Sequence, residues 1–202
     1  MSKLLALSAT GAGTIGIGGF GAYSFKTSSN NIRYIKDRLE ESQYTLLSLN
    51  ENKHKSYWNK SLQEYKKKHP FDSPLHVEDL KAICKQAFLG EYQDDDSYAK
   101  ARRYCVVPRK ISERIKDLGL NLLDMKGKLD EREWQWLSFE YSYIGEGNRK
   151  LGTLDKNSTK DYRNNWTLLR NECQKELMKD HWTPNYYFIL KSVQRWCVAL
   201  PN

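Results

Sequence analysis

The chain has 202 residues, with 33 lysine and arginine residues against 25 aspartate and glutamate residues, and a net charge of +8. Its hydrophobic fraction of 39%, with charged residues spaced between the apolar ones, is typical of a globular domain and excludes a disordered chain. Because basic and acidic residues are interleaved nearly everywhere, the charge predicts only weak attraction to anionic surfaces and no specific nucleic-acid site.

The N-terminal segment contains a long stretch without charge. No charged residue occurs from Leu4 to Phe25, and a helix of that length, rising about 1.5 Å per residue, would cross a bilayer. We therefore predict a transmembrane or signal-anchor helix in residues 1–26, with membrane attachment through residues 4–25. The small residues Ser8, Ala12 and Gly16 lie four apart and would let two such helices associate.

Two questions about this segment stay open. Ala22-Tyr23-Ser24 is an acceptable small-x-small cleavage site, so a removed signal peptide is an alternative, and burial as a soluble helix is a third. The positive residues after the stretch, beginning with Lys26, favour a cytoplasmic domain by the positive-inside rule. The export-like layout and the cysteine usage favour an extracellular one, which is the orientation we predict.

Apolar residues at helical spacing predict about four helices between residues 27 and 110. Ser73-Pro74 suits a helix start, Gly90 an end, and Pro108 stops the last helix. The residues that define the four apolar faces are, in chain order, Ile32, Ile35 and Leu39; Trp58, Leu62 and Tyr65; Leu80, Ile83, Cys84, Ala87 and Phe88; and Tyr98, Ala101 and Tyr104.

The same arrangement recurs between residues 111 and 202. Asp130 to Glu133 resemble a capping box, and Thr183-Pro184 suits the start of the last helix. The stretch from Gly145 to Ser158 is longer than its counterpart and carries turn residues. The apolar faces consist of Ile111, Ile115, Leu118 and Leu122; Trp134 and Tyr141; Trp166, Leu169, Cys173 and Leu177; and Tyr186, Ile189, Val193 and Cys197.

Matched spacing indicates an internal repeat. A Leu-Leu pair, a tryptophan and a tyrosine follow one another at the same intervals in both halves, at Leu46-Leu47, Trp58 and Tyr65 and at Leu122-Leu123, Trp134 and Tyr141. No alternating strand pattern of useful length occurs. We predict an all-α fold in which two helical units of roughly 80 residues, 27–110 and 111–202, arise by tandem duplication and form one globular domain.

The four cysteines fall two in each half. The pairs Cys84–Cys105 and Cys173–Cys197 are each centred on a predicted turn between two helices. Residues equidistant from the turn of an antiparallel helix pair lie opposite each other, so each pair is placed for a disulfide. Two pairs of buried thiols are the alternative, and a zinc site is disfavoured because the chain lacks a Cys-x-x-Cys motif and paired histidines.

No catalytic constellation is recognisable in the sequence. Cys173 or Cys197 could act as a nucleophile with His181 as its base. Both cysteines, however, lie on apolar helix faces, which indicates that they pack in the core. Trp182 sits at a turn beside His181 and is the tryptophan we expect to be exposed. No nucleotide-binding loop is present, and the histidines are scattered, at His54, His69, His76 and His181. We predict a non-enzymatic protein without cofactor or metal.

One set of motifs resembles a known group of proteins. The motifs are the glycine-rich hydrophobic N-terminus, Leu-Leu before Trp58 and Tyr65, Leu80-Lys81 before Cys84, Arg103-Tyr104-Cys105-Val106-Val107-Pro108, and the echo Arg195-Trp196-Cys197-Val198. The chain is similar to the large paralogous families of membrane-anchored proteins of haemotropic mycoplasmas. Tyr104 departs from the tryptophan that is usual there. The resemblance implies a surface-exposed protein with a role in host contact or antigenic diversity, and it implies no catalytic residues.

The expected function is that of a non-enzymatic helical protein at the cell membrane with an extracellular domain. Its expected partners are the membrane and host surface or immune molecules, with no specific nucleic acid. The alternative is a cytoplasm-facing, membrane-tethered scaffold or a weak binder of nucleic acid and other anionic surfaces. That alternative is motivated by the net charge and by the positive residues that follow the uncharged stretch.

Overall fold

The chain folds into α-helices, as its apolar periodicity predicts. The computed structural model describes residues 33–50, 53–71, 76–92 and 95–199, which belong to the unit Ile32–Asn202. The extended contacts within these ranges are isolated pairings rather than strands, so the prediction of an all-α fold is confirmed there. The predicted N-terminal helix and Ser73-Pro74 lie outside the described ranges. No helix within them is long and apolar enough to cross a membrane.

Eight α-helices are present in the described ranges, four in each of the predicted units. The first half contains α1 (Ile35–Glu41), α2 (Lys55–Lys68), α3 (Val77–Leu89) and α4 (Asp95–Tyr104). The second half contains α5 (Ile111–Asp117), α6 (Glu131–Ile144), α7 (Tyr162–Leu177) and α8 (Tyr186–Trp196). Between α6 and α7 the chain forms two short 3₁₀ turns, Gly147–Arg149 and Lys156–Thr159.

Each half has its own hydrophobic cluster. Trp58 and Cys84 lie in the first cluster, and Trp134 and Trp196 lie fully buried in the second. The first cluster also includes Trp182 from the second half. Burying a large apolar side chain contributes roughly 1.5–3 kcal/mol, so these two clusters are the main stabilising feature of the fold.

Corresponding backbone hydrogen bonds occur in both halves. In each, the segment after the first helix pairs in antiparallel fashion with the segment after the last helix. The bonded residues are Leu47 with Cys105 and Val107 with Thr45 in the first half, and Leu123 with Cys197 and Ala199 with Asn121 in the second, at N···O distances of 2.8–3.1 Å.

The buried tryptophans of α2 and α6 are held in the same way. The indole Nε1 of Trp58 donates to the carbonyl of Ser48 over 2.9 Å, and that of Trp134 donates to the carbonyl of Asp124 over 3.0 Å. In both cases the acceptor precedes the tryptophan by ten residues. The matched spacing seen in the sequence therefore corresponds to matched contacts in the structure.

Helix α5 is shorter than its apolar stripe predicts. It ends at Asp117, and Leu122 lies in the extended pairing with Val198 instead of on the helix. The chain turns at Gly119, which has a φ of 67°, and the amide of Leu120 donates to the carbonyl of Ile115. This is a Schellman end, in which a residue in the left-handed region stops the helix.

The capping box predicted at Asp130 is not formed. Asp130 precedes α6 without capping it through its side chain. Its Oδ2 instead accepts a hydrogen bond from the backbone amide of Asp124 over 2.5 Å. The carboxylate therefore fastens the preceding loop rather than the helix N-terminus.

Candidate functional site

The two predicted cysteine pairs lie at disulfide distance. The sulfur atoms of Cys84 and Cys105 are 1.99 Å apart, and those of Cys173 and Cys197 are 2.09 Å apart. Each pair joins the third helix of its half to the residue that follows the fourth. All four cysteines lie in the described ranges and none is a free thiol, so none is available as a nucleophile. Closing loops of this size stabilises a fold by about 3 kcal/mol each.

A pocket opens beside the first cysteine pair, between α2, α3 and α4. Its volume is about 500 Å³. Its walls are largely apolar, with Lys100 and Glu91 as charged residues at its lining. We call it the first-half pocket, and its lining residues include Tyr65, Ile83, Ala87, Lys100 and Tyr104.

The segment between α7 and α8 packs against the first half. His181 is 5% exposed, and its Nε2 lies 3.1 Å from the carbonyl oxygen of Arg103. A carbonyl oxygen only accepts, so Nε2 carries the hydrogen. In return, the Arg103 guanidinium donates to the carbonyl of Trp182 over 2.9 Å.

Trp182 is buried, and the expectation that it would be exposed is wrong. Its exposed fraction is 7%. Its ring stacks on Tyr104 with a centroid distance of 6.1 Å, which places it in the hydrophobic cluster of the first half. Trp182 therefore connects the two halves of the fold and does not offer a surface platform for a ligand.

The pKa of His181 is lowered from 6.5 to about 4, chiefly by burial. The charges of Arg103 and Arg102 also lower it, whereas the hydrogen bond to the Arg103 carbonyl and the charge of Asp180 oppose the shift. The imidazole is therefore neutral at physiological pH. Its nearest aromatic neighbours are Trp182 and Tyr186, at centroid distances of 4.8 and 5.1 Å. These contacts describe a packing residue rather than a catalytic base.

Arg114 is the second polar link between the halves. It is 2% exposed, and its guanidinium donates to the backbone carbonyls of Gln43, over 2.7 Å, and Ser42. The guanidinium carbon also lies 4.0 Å from the ring centroid of Tyr44, a cation–π contact. The sequence offers one signal for this role, because Arg114 follows Ile111 by three positions and so falls on the buried face of α5.

Two carboxylates of α7 are buried against the loop that follows α6. Oε1 of Glu172 accepts from the amide of Thr153 over 2.8 Å, and Oε2 accepts from Nζ of Lys175 over 2.9 Å. Burial pushes the pKa of Glu172 upward, but these hydrogen bonds outweigh it and the pKa is lowered overall. Burial raises the pKa of the neighbouring Glu176, and the charge of Glu172 adds to the rise.

The residues considered for chemistry are not brought together. His54 accepts a hydrogen bond from the amide of Ser48 at the start of α2, and His69 stacks on Tyr65 at its end. Within the described ranges, no group of three or more histidine, cysteine, aspartate or glutamate residues could hold a metal ion. Sequence patterns do not indicate the first-half pocket, because its lining comes from several helices whose packing is not encoded in local spacing.

Comparison with protein-family models, with curated proteins and with solved structures finds no match to this chain.

Proposed function

We propose that the protein is a membrane-tethered, non-enzymatic protein whose helical domain faces the outside of the cell. The observation that carries this proposal is the placement of Cys84 with Cys105 and of Cys173 with Cys197 at disulfide distance. Disulfides persist in oxidising compartments and are rare where glutathione keeps thiols reduced. Two such pairs support an extracellular location better than a cytoplasmic one.

The tether in this proposal is the uncharged stretch from Leu4 to Phe25, which has the length of a membrane-spanning helix. The small-residue face that includes Gly16 would allow two tethers to associate. A role in contact with host surface or immune molecules rests on the resemblance to the mycoplasma families, which stays a prediction. The pairing of all four cysteines and the packing of His181 support a non-enzymatic role.

The proposal includes a tandem duplication of one unit of about four helices. It is supported by the matched helix ends after α1 and α5, by the matched antiparallel pairings and by the matched indole hydrogen bonds of Trp58 and Trp134. The cysteine pairs also occupy corresponding positions. A repeated unit of this kind provides a stable scaffold on which exposed loops can vary.

Labelling of intact cells tests the location. A membrane-impermeant amine reagent should modify exposed lysines of the helical domain, such as Lys68 and Lys128, without permeabilisation. A cytoplasmic protein of the same cells serves as the control for leakage. Complete protection of the domain in intact cells, with labelling after permeabilisation, would contradict the proposal and favour the cytoplasm-facing alternative.

A further inference from the structure

A second pocket lies where the connection between α6 and α7 meets helix α8. We call it the second-half pocket. Its volume is about 370 Å³, within the range of roughly 300–1,000 Å³ that is usual for small-molecule sites. All of its lining residues belong to the described ranges. They include Asn148 and Lys150 from the connection, and Asn185, Phe188 and Ser192 from α8 and the residue before it.

Hydrogen bonds fix the wall that the connection contributes. The indole Nε1 of Trp196 donates to the carbonyl of Arg149 over 2.7 Å, and the hydroxyl of Ser192 donates to the carbonyl of Lys150 over 3.0 Å. The next residue, Leu151, is fully buried in the second hydrophobic cluster. A ligand therefore meets a wall that is already ordered, which reduces the entropy that binding costs.

Phe188 presents an aromatic ring at this pocket. Its side chain is 59% exposed, although it lies on a helix whose other face is buried. In the register that pairs Cys105 with Cys197, Phe188 corresponds to Asp96, an exposed acid in the first turn of α4. The helix therefore does not need an aromatic residue at this position in order to pack. The electron-rich face of the ring is suited to the C–H groups of a sugar ring.

Polar side chains stand beside this ring without partners. Within the described part of the chain, the side-chain amides of Asn148 and Asn185 and the ammonium of Lys150 form no hydrogen bond or ion pair. Asn185 precedes α8 with a φ of 60°, and its side chain does not cap the helix. A carboxamide both donates and accepts, so the two amides can bind neighbouring hydroxyl groups of one ligand.

The charge at the pocket is positive. Of the described residues that line it, Lys150 alone is charged, and Arg149 and Lys191 adjoin lining residues in the sequence. Glu172 and Glu176 lie behind the connection rather than in the lining, and each forms an ion pair with the lysine three positions further on. This lining favours a ligand with one negative charge over a cation, which would need a carboxylate, and over a polyphosphate, which would need more basic groups.

We propose that the second-half pocket binds a pyranose sugar that carries a carboxylate, as uronic acids and sialic acids do. One C–H face of the sugar ring packs on Phe188. Its hydroxyls exchange hydrogen bonds with the amides of Asn148 and Asn185, and its carboxylate accepts from Nζ of Lys150. The site goes beyond the function proposed above and does not rest on it, because the isolated protein binds the sugar whatever its location in the cell.

Saturation-transfer difference NMR with simple glycosides tests the site. The full-length, disulfide-intact protein in mild detergent is titrated with methyl β-D-glucuronoside, with its methyl ester and with the methyl α-glycoside of N-acetylneuraminic acid; detergent alone is the blank. We expect saturable binding of at least one acid, and the tighter of the two identifies the natural class. The ester should bind about tenfold more weakly than the glucuronoside, because it lacks the charge that Lys150 recognises.

Substitutions at exposed residues separate the pocket from the general surface. Lys150→Gln should weaken binding of the acid about tenfold and leave binding of the ester unchanged. Phe188→Ala should weaken binding of both, because both pack on the ring. The matched controls Lys128→Gln and Leu129→Ala, at exposed sites outside the lining, should bind like the wild type. Circular dichroism and non-reducing mobility show whether each variant is folded.

A measurement on the wild type removes dependence on the variants. In bound methyl β-D-glucuronoside, the ring protons on the face that packs on Phe188 should receive more saturation than those on the opposite face. Absence of saturable binding of both acids at high-millimolar concentration, equal binding of acid and ester, or equal binding by the wild type and folded Phe188→Ala would each overturn the proposal.

Discussion

At the scale of the residue, two matched helix ends share one backbone angle but carry different residues at it. Gln43 after α1 and Gly119 after α5 both adopt the left-handed region, with φ of 60° and 67°. The amide of Tyr44 donates to the carbonyl of Leu39 just as that of Leu120 donates to Ile115. Glycine adopts this angle without steric cost, whereas a residue with a Cβ does so at about 1–2 kcal/mol.

Because glycine adopts this angle without steric cost and glutamine does not, replacing each of the two residues should have opposite effects on stability. Gln43→Gly should raise the free energy of unfolding by about 1 kcal/mol, and Gly119→Ala should lower it by a similar amount. No atom lies within 4 Å of a Cβ placed at Gly119, so the backbone angle is the main term there. Urea unfolding of both variants checks the prediction. Unchanged stability of Gly119→Ala would contradict it.

His181 predicts a pH dependence of stability. Burial lowers its pKa to about 4 in the fold, so the unfolded chain, with a pKa of 6.5, binds the proton more readily. Stability that is present at neutral pH is therefore lost as the pH falls from 6.5 towards 4. Between pH 7 and pH 5 the wild type should lose about 2 kcal/mol more than His181→Gln, whose side chain does not titrate.

Urea unfolding of the wild type and of His181→Gln at both pH values measures this difference. The acidic groups near His181, above all Asp180, are present in both proteins, so their contribution cancels in the comparison. An equal loss of stability in the two proteins would contradict the prediction, because it would show that His181 is already protonated in the folded state at pH 5.

At the scale of the element, the helices could be predicted from local spacing, but their ends and several burials could not. Apolar periodicity located the eight helices that occur in the described part of the chain, since a helix must bury one face. It extended α5 to Leu122, because a leucine in an antiparallel pairing falls at the same spacing as one on a helix. Local spacing predicted an exposed Trp182, because the burial of this residue depends on Tyr104 in the other half. The first-half pocket was missed for the same reason.

The loop of residues 145–161, which connects α6 to α7, is the element whose contribution to stability is most readily measured. Leu151→Ala should lower the free energy of unfolding by about 3 kcal/mol, because a fully buried leucine leaves a cavity. Leu129→Ala, at a residue that is 88% exposed, is the matched control and should change stability by less than about 0.5 kcal/mol. Equal effects in urea unfolding would contradict the burial of Leu151 in the second hydrophobic cluster.

At the scale of the whole molecule, each half has its own core and its own cysteine pair, and polar contacts join the halves. The hydroxyl of Tyr186 donates to the carbonyl of Arg109 over 2.8 Å. Arg114 and Trp182 complete this junction. The proposed tandem duplication would give such an arrangement, because each unit would keep its own packing and the junction would be added to it.

The proposed extracellular location is tested most directly by a peptide map of the native protein under non-reducing conditions. Free thiols are alkylated in denaturant, the chain is cleaved with trypsin, and the peptides are analysed by mass spectrometry. We predict that residues 82–85 are linked to residues 104–109 and residues 171–175 to residues 196–202, with no alkylated cysteine. Alkylation of all four cysteines in freshly isolated protein would contradict the disulfides and the oxidising compartment on which the proposed function depends.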